Sequence, residues 1–169
     1  MVMPLTTPEI KVDAVRRYGA EVILFGESFS EAHDYAHELE KKDDLTFIHP
    51  YDDPDVIAGQ GTIGKEILES FKQPIHAIFC CVGGGGLVSG IAAYVKAVNP
   101  KIKVIGVEAE DAEAMTKSLK ANKRIMLKQV GLFAEGAAVK QVGVHNFELA
   151  QAYVHQHEHT TNARNRKSR

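Results

Sequence analysis

No run of apolar residues in this sequence approaches the about 20 needed to cross a bilayer, so no membrane-spanning helix is expected. The opening Met-Val-Met-Pro-Leu-Thr-Thr-Pro has no basic stretch followed by an apolar one, which leaves no sign of a secretory signal. An excess of either charge is lacking too, with 20 Lys and Arg against 22 Asp and Glu. The net charge of −2 gives no global reason to expect nucleic-acid binding. Cysteine is limited to Cys80 and Cys81, which are adjacent. Neighbours in a strand face opposite sides, so a disulfide between them is not expected. Two buried thiols in a reducing compartment are the expectation. A cytoplasmic location follows from that, with an organellar one still open. No internal repeat of 20–50 residues is visible.

With 44% hydrophobic and 25% charged residues, the 169-residue chain has the composition of a globular protein with a sizeable core. Its patterning alternates helix and strand. Thr7 can cap a helix whose first residue is Pro8, with Gly19 where that helix should stop. Glu21–Phe25 reads as a strand. Ser28 and Glu31 have capping-box spacing ahead of a helix burying Ala32, Tyr35, Ala36 and Leu39. Leu45–Ile48 reads as a short strand. Asp53-Pro54 can open a helical region, continued by an amphipathic helix from Thr62 to Phe71 with Ile63, Ile67, Leu68 and Phe71 inward. Ala77–Val82 is an unbroken apolar run, as in a parallel strand covered on both faces. Leu87–Val98 reads as a helix, Ile102–Val107 as a buried strand, Asp111–Lys120 as a helix and Phe147–Val154 as the start of another. The alternation argues for α/β architecture. A boundary is expected near His49–Asp53.

From residue 155 the sequence is almost wholly polar and cannot bury surface against its ordering entropy, so residues 155–169 are expected to be a disordered tail. His155, His157 and His159 alternate within it, but an unstructured segment assembles a metal site at entropic expense, and no metal is expected. Arg164, Arg166, Lys167 and Arg169 make a short basic end that reads as solvated.

The chemistry-bearing feature is Gly83-Gly84-Gly85-Gly86, set between a buried strand and an amphipathic helix. Glycine permits tight turning and close approach of a ligand, and the helix that follows offers unpaired N–H groups at the positive end of its dipole. Together these form a cup for a phosphate. No Lys-Ser or Lys-Thr follows, so the run is not a Walker loop. Val88 stands where a dinucleotide fingerprint needs glycine.

Val56-Ile57-Ala58-Gly59-Gln60-Gly61-Thr62 ahead of Val82–Leu87, with Lys103–Glu110, resembles the fold-type II pyridoxal-phosphate enzymes, the tryptophan synthase beta-like family. Val130-Gly131-Leu132-Phe133-Ala134-Glu135-Gly136, and the opening Val2–Arg16, are similar to the biosynthetic threonine dehydratases within it. The likeness runs from residue 1 to about 153.

The resemblance implies parallel-sheet αβα layers truncated at both ends. Residues 1–51 would be the remainder of a small domain, and 52–154 part of a large phosphate-binding domain. It implies pyridoxal 5′-phosphate as cofactor. Gly83, Gly84, Gly85, Gly86 and the Leu87 backbone would hold the phosphate, with Glu135 and Gly136 beside the ring. Gly59–Thr62 would carry the chain from the small domain back into the large one. The implied reaction converts L-threonine to 2-oxobutanoate and ammonia, in isoleucine synthesis, with L-serine as a second substrate. The intact enzyme is expected to be a homo-oligomer acting on an amino acid, with no nucleic-acid or membrane partner.

The family's Schiff-base lysine would lie upstream of residue 1, so no catalytic residue is assigned and the chain alone is expected not to turn over threonine. Lys72, in Ser70-Phe71-Lys72, imitates the lysine motif, but Gln73-Pro74 follows it and it ends a helix. Tyr51 matches a position aromatic in the dehydratases and asparagine in serine racemases. Glu108 matches a cation-binding position of the racemase-like branch. Its partner position is Ala114, which cannot ligate, so Glu108 is expected to be a solvated or capping acid. A non-catalytic phosphate-ligand or protein-binding module, or a serine dehydratase or racemase relative, are the alternative readings.

Overall fold

The computed structural model describes residues 1–131 and 134–160; the side chains of Glu135 and of residues 156–160 fall outside the description. Leu132, Phe133 and the basic end with Arg164, Arg166, Lys167 and Arg169 also lie outside the described residues. The chain forms two compact units, Met1–Ile48 and His49–Arg169.

In the first unit, strands β1 (Val2–Met3) and β2 (Ile23–Leu24) pair in parallel, with α1 (Glu9–Arg17) between them in sequence and α2 (Phe29–Asp43) after them. The capping box at α2 forms as expected: Ser28 Oγ accepts the Glu31 N–H, and Glu31 reaches back to the Ser28 N–H. The Leu45–Ile48 strand does not form. Those residues follow the left-handed C-cap Asp44, with Leu45 and Ile48 exposed, and are fastened to α2 instead. Phe47 donates its N–H to Glu40 and stacks on His37 with ring centroids 4.1 Å apart, which satisfies the segment without a ladder.

The second unit is a three-stranded parallel sheet in the order β3 (Ala77–Cys81), β4 (Lys103–Ala109), β5 (Gln156–Thr160). Ala77 pairs with Lys103 and Cys81 with Val107. On β4's other side Ile105 pairs with Gln156 and Ala109 with Thr160. β5 corrects the expectation that the chain is unstructured from residue 155. A ladder on a free edge satisfies backbone groups whatever the side chains are, and polar composition does not reveal such a partner. Helices α3 (Pro54–Ser70), α4 (Gly86–Val98), α5 (Ala114–Lys120) and α6 (Val144–Tyr153) complete the unit, and none of the described helices is long and apolar enough to cross a membrane.

The core gathers on one face of the sheet, where Ile78, Cys80 and Val82 meet Val88, Ile91, Ala92 and Val95 of α4. The expectation that β3 is covered on both faces fails: Phe79 is 66% exposed and Cys81 is exposed. An unbroken apolar run reports that burial is wanted on both sides, not that this chain supplies it. The two cysteines therefore differ, one buried and one not. Burial, reinforced by Cys81 alongside, pushes the Cys80 thiol up to about 11.

α3 is one continuous helix, opened by Asp53, whose side chain accepts the N–H groups of Asp55 and Val56, and by Pro54 at its first position. Gly59–Thr62 lies in its middle, so this segment does not carry the chain between units. Its glycines serve packing. A Cβ on Gly90 of α4 would stand 2.3 Å from the Ile57 carbonyl and 2.7 Å from the Gly61 nitrogen. The buried side of α3 is thus Ile57, Gly61 and Gly64, with Ile67 and Leu68 partly buried; Ile63 and Phe71 face outward. Close backbone approach replaced the large apolar side chains that the periodicity favoured.

Two outcomes follow. Gly90→Ala should lower stability by about 2–3 kcal/mol, because the obstacle is backbone. Gly59→Ala, which meets nothing within 4 Å, should raise it by about 0.5–1 kcal/mol. Denaturant unfolding of the chain checks both signs. With a disulfide thiol reagent at about pH 8, Cys81 should react readily and Cys80 only on unfolding; equal rates would contradict the assigned burial.

Candidate functional site

Parallel pairing of β3 and β4 places the glycine run at the carboxyl end of β3, where open α/β sheets bind ligands. Gly85 is the N-cap of α4 with φ of +103°, a conformation that only glycine adopts without strain. Ser89 N–H closes onto the Gly85 carbonyl at 3.0 Å, so the helix is hydrogen-bonded from its first turn. Among the described residues, the N–H groups of Gly83 to Leu87 have no acceptor in the protein. They are the orphan donors of a helix mouth, at the positive end of a 13-residue helix.

The sequence reading credited the glycines to a ligand's approach. The structure adds a further reason for them. A Cβ on Gly83 would meet Ala137 at 2.9 Å; on Gly84, the Tyr51 ring at 2.3 Å; on Gly85, Asn146 at 2.8 Å; on Gly86, the Tyr51 carbonyl at 2.9 Å. The loop is therefore walled by protein along its side-chain side, and its amides are what remain for an anion.

Contact between Gly83 and Ala137 brings the turn Glu135–Ala137 against the loop. Gly136 is exposed, with open space where a Cβ would stand. The structure thus places Gly83–Leu87 and the Glu135–Gly136 turn together. Lys72 is exposed and precedes β3, whereas the glycine loop follows that strand's carboxyl end.

Tyr51 is half-buried. Its hydroxyl donates to the Gln141 carbonyl at 3.4 Å, and burial, with the Asp52 carboxylate adding to it, holds the phenol above its ordinary value. Three residues that the sequence reading passed over complete the wall. Asp52 caps α6 from a distance: its carboxylate accepts Val144 N–H at 2.7 Å and Asn146 N–H at 3.3 Å. Gly143 lets it approach, since a Cβ there would sit 2.1 Å from Asp52 Oδ1. The signal was an apolar helix preceded by glycine, with no capping side chain of its own. Asn146 is fully buried; its Nδ2 donates to the Tyr51 carbonyl at 2.7 Å, and its Oδ1 has no partner among the described residues. His49 accepts N–H groups from Tyr51 and Asp52.

Glu108 is 1% exposed and not solvated. Its carboxylate accepts the N–H groups of Met115 and Thr116, each at 2.8 Å, and the Thr116 hydroxyl at 2.6 Å, which caps α5. A separate hollow of about 570 Å³ opens between α3, α4 and α6, lined in part by Ile57, Tyr94, His145 and Leu149. None of the glycine-loop residues from Gly83 to Leu87 lines it.

The second unit is thus a parallel α/β sheet with a glycine loop and a helix mouth at its carboxyl end, the place where α/β enzymes commonly bind ligands. Residues 1–164 match the family of pyridoxal-phosphate dependent enzymes, and the chain belongs to that family. It is 58% identical over 157 residues to the biosynthetic L-threonine dehydratase of Burkholderia multivorans, covering 91% of this chain and 31% of that protein. With the chloroplastic biosynthetic threonine dehydratase of Arabidopsis thaliana it shares 56% over 151 residues, 89% of this chain and 26% of the relative. The chain thus spans under a third of these curated relatives. Among solved structures, the processed threonine deaminase isoform 2 of Solanum lycopersicum superposes with a TM-score of 0.89 at 48% identity, over 95% of this chain and 46% of that one. Maize serine racemase gives 0.89 at 29%, over 95% and 48%.

The residues fit the family's cofactor: N–H groups at a helix mouth without a protein acceptor among the described residues suit a phosphate. Glu108→Gln removes one acceptor oxygen and turns an NH₂ toward an N–H. It should cost about 2 kcal/mol, read as a lowered unfolding midpoint. An unchanged midpoint would rule out the capping role.

Proposed function

We propose that this chain is the phosphate-binding portion of a threonine ammonia-lyase, which converts L-threonine to 2-oxobutanoate and ammonia in isoleucine synthesis, with L-serine as a second substrate. The single observation that carries the reading is the set of N–H groups from Gly83 to Leu87 at the mouth of α4. The identities of 58% and 56% to relatives named biosynthetic threonine dehydratase support the substrate. Residues 1–48 then belong to the small domain, and residues from His49 to the large one.

In this reading Gly83, Gly84, Gly85, Gly86 and the Leu87 amide hold the 5′-phosphate, and α4 contributes its dipole. Glu135 and Gly136 lie beside the cofactor ring. Tyr51 seals the loop's far side and keeps water from the glycine backbone. Pyridoxal phosphate, when bound, draws electrons from the substrate's α-carbon. The protein's share is to fix where that ring lies. A serine-directed relative is the second reading, motivated by the TM-score of 0.89 to maize serine racemase. Tyr51, at a position where the resemblance gives racemases asparagine, weighs toward threonine.

Titration of the full chain with pyridoxal 5′-phosphate, followed by phosphorus NMR with inorganic phosphate as competitor, tests the site. Saturable binding that phosphate displaces is expected. Gly84→Ala should weaken it by at least about tenfold, because its Cβ would drive out the Tyr51 ring. No binding by the unaltered chain would overturn the reading. Comparing 2-oxobutanoate formed from L-threonine with pyruvate formed from L-serine, using protein expressed from the complete coding sequence, separates the two substrate assignments.

A further inference from the structure

We propose that His49 is a positioning residue for the phosphate loop, acting through the Tyr51–Asp52 turn without touching the loop's glycines. This rests on the reading of Gly83–Leu87 as the phosphate site. His49 Nδ1 accepts the N–H of Asp52 at 2.9 Å and that of Tyr51 at 3.3 Å. Pro50 stands between and has no N–H to compete. The arrangement is an imidazole version of an Asx turn, in which a side-chain acceptor gathers the backbone donors two and three residues on. Both donors are amides, so Nδ1 offers its lone pair and the ring proton sits on Nε2. The ring also meets Tyr51 edge-on, with centroids 4.6 Å apart and planes at 83°.

What hangs from this turn is the part of the loop's wall that faces Gly84 and Gly86. The Tyr51 ring lies over Gly84, and its carbonyl stands 2.9 Å from where a Cβ of Gly86 would be. That carbonyl also takes the Asn146 amide at 2.7 Å, which fixes the side chain packed against Gly85. The Asp52 carboxylate holds the first turn of α6, which carries Asn146. Two hydrogen bonds to a single ring nitrogen thus set the backbone from which the ring, the carbonyl and the carboxylate all project. Without the acceptor at residue 49, Tyr51 and Asp52 lose a shared restraint, and the shape of the amide cup relaxes with them.

A residue that merely stabilises its own turn would change stability and leave the cup alone. The test therefore reads the cup. His49→Ala removes the acceptor; His49→Asn puts an amide oxygen close to the place of Nδ1. In proton–nitrogen correlation spectra of the full chain without ligand, His49→Ala should shift the Gly84 and Gly86 amides, and His49→Asn should return them toward wild type. With pyridoxal 5′-phosphate as probe, His49→Ala should bind about tenfold more weakly, the scale of one or two lost hydrogen bonds. His49→Asn should recover most of that loss.

Unmoved glycine amides in His49→Ala, or a His49→Asn variant as impaired as the alanine, would overturn the proposal. If His49→Ala does not fold, His49→Asn decides alone: wild-type glycine amides and affinity support it, and a folded variant with displaced amides sinks it. If the unaltered chain binds no pyridoxal phosphate, the cofactor reading fails, and the ligand-free amide shifts then test whether His49 shapes the loop at all.

Discussion

Only a hydrogen atom fits between Gly84 and the ring of Tyr51, and the architecture around the helix mouth depends on that contact. Tyr51 can lie there because its hydroxyl reaches Gln141 and its carbonyl takes the Asn146 amide. The next residue, Asp52, ties the same dipeptide to the first turn of α6. A loop, a turn and a helix distant in sequence are thus locked by one dipeptide. The amides of Gly83 to Leu87 stay free of protein acceptors among the described residues while the rest of the loop is immobilised. An anion site prepared in this way needs little reorganisation when filled, which is the main energetic advantage of backbone donors over long charged side chains.

Much of this was legible beforehand, and the reason is local physics. Ser28 with Glu31, Asp53 with Pro54, and a glycine run between an apolar strand and an amphipathic helix are short-range patterns whose meaning depends on neighbours in sequence. They gave the α/β alternation, the helix starts and the place of the loop. What failed was non-local. Leu45–Ile48 has strand-like residues, but it docks on α2 through Glu40 and His37 instead of joining a ladder. Residues 156–160 look unable to order, yet they pair with β4 because an edge was available. Ile63 and Phe71 fit an apolar stripe, but α3 approaches α4 on glycines, which periodicity scores as blanks.

The site divides in the same way. The place of Gly83–Leu87 at a helix mouth was legible from a glycine run ahead of an amphipathic helix, and the Glu135–Gly136 segment came from the family resemblance alone. His49, Asp52 and Asn146 were not legible, because each acts on backbone groups that only the fold brings near. The packing reason for the glycines was not readable from sequence either. Their missing side chains make room for Ala137, Tyr51 and Asn146. Glu108 shows a partial case: of the two roles expected, solvated or capping, it takes the capping one and is buried, because α5 begins beside it and needs acceptors.

β3 has a ladder partner on one side only among the described residues, and its outward face carries Phe79. A strand in that position extends the backbone ladder of any complementary chain that meets it, with an apolar surface to reward the encounter. Meetings between two such edges become more frequent with concentration. The polypeptide's apparent robustness will depend on how dilute it is kept as much as on how well its own core is packed.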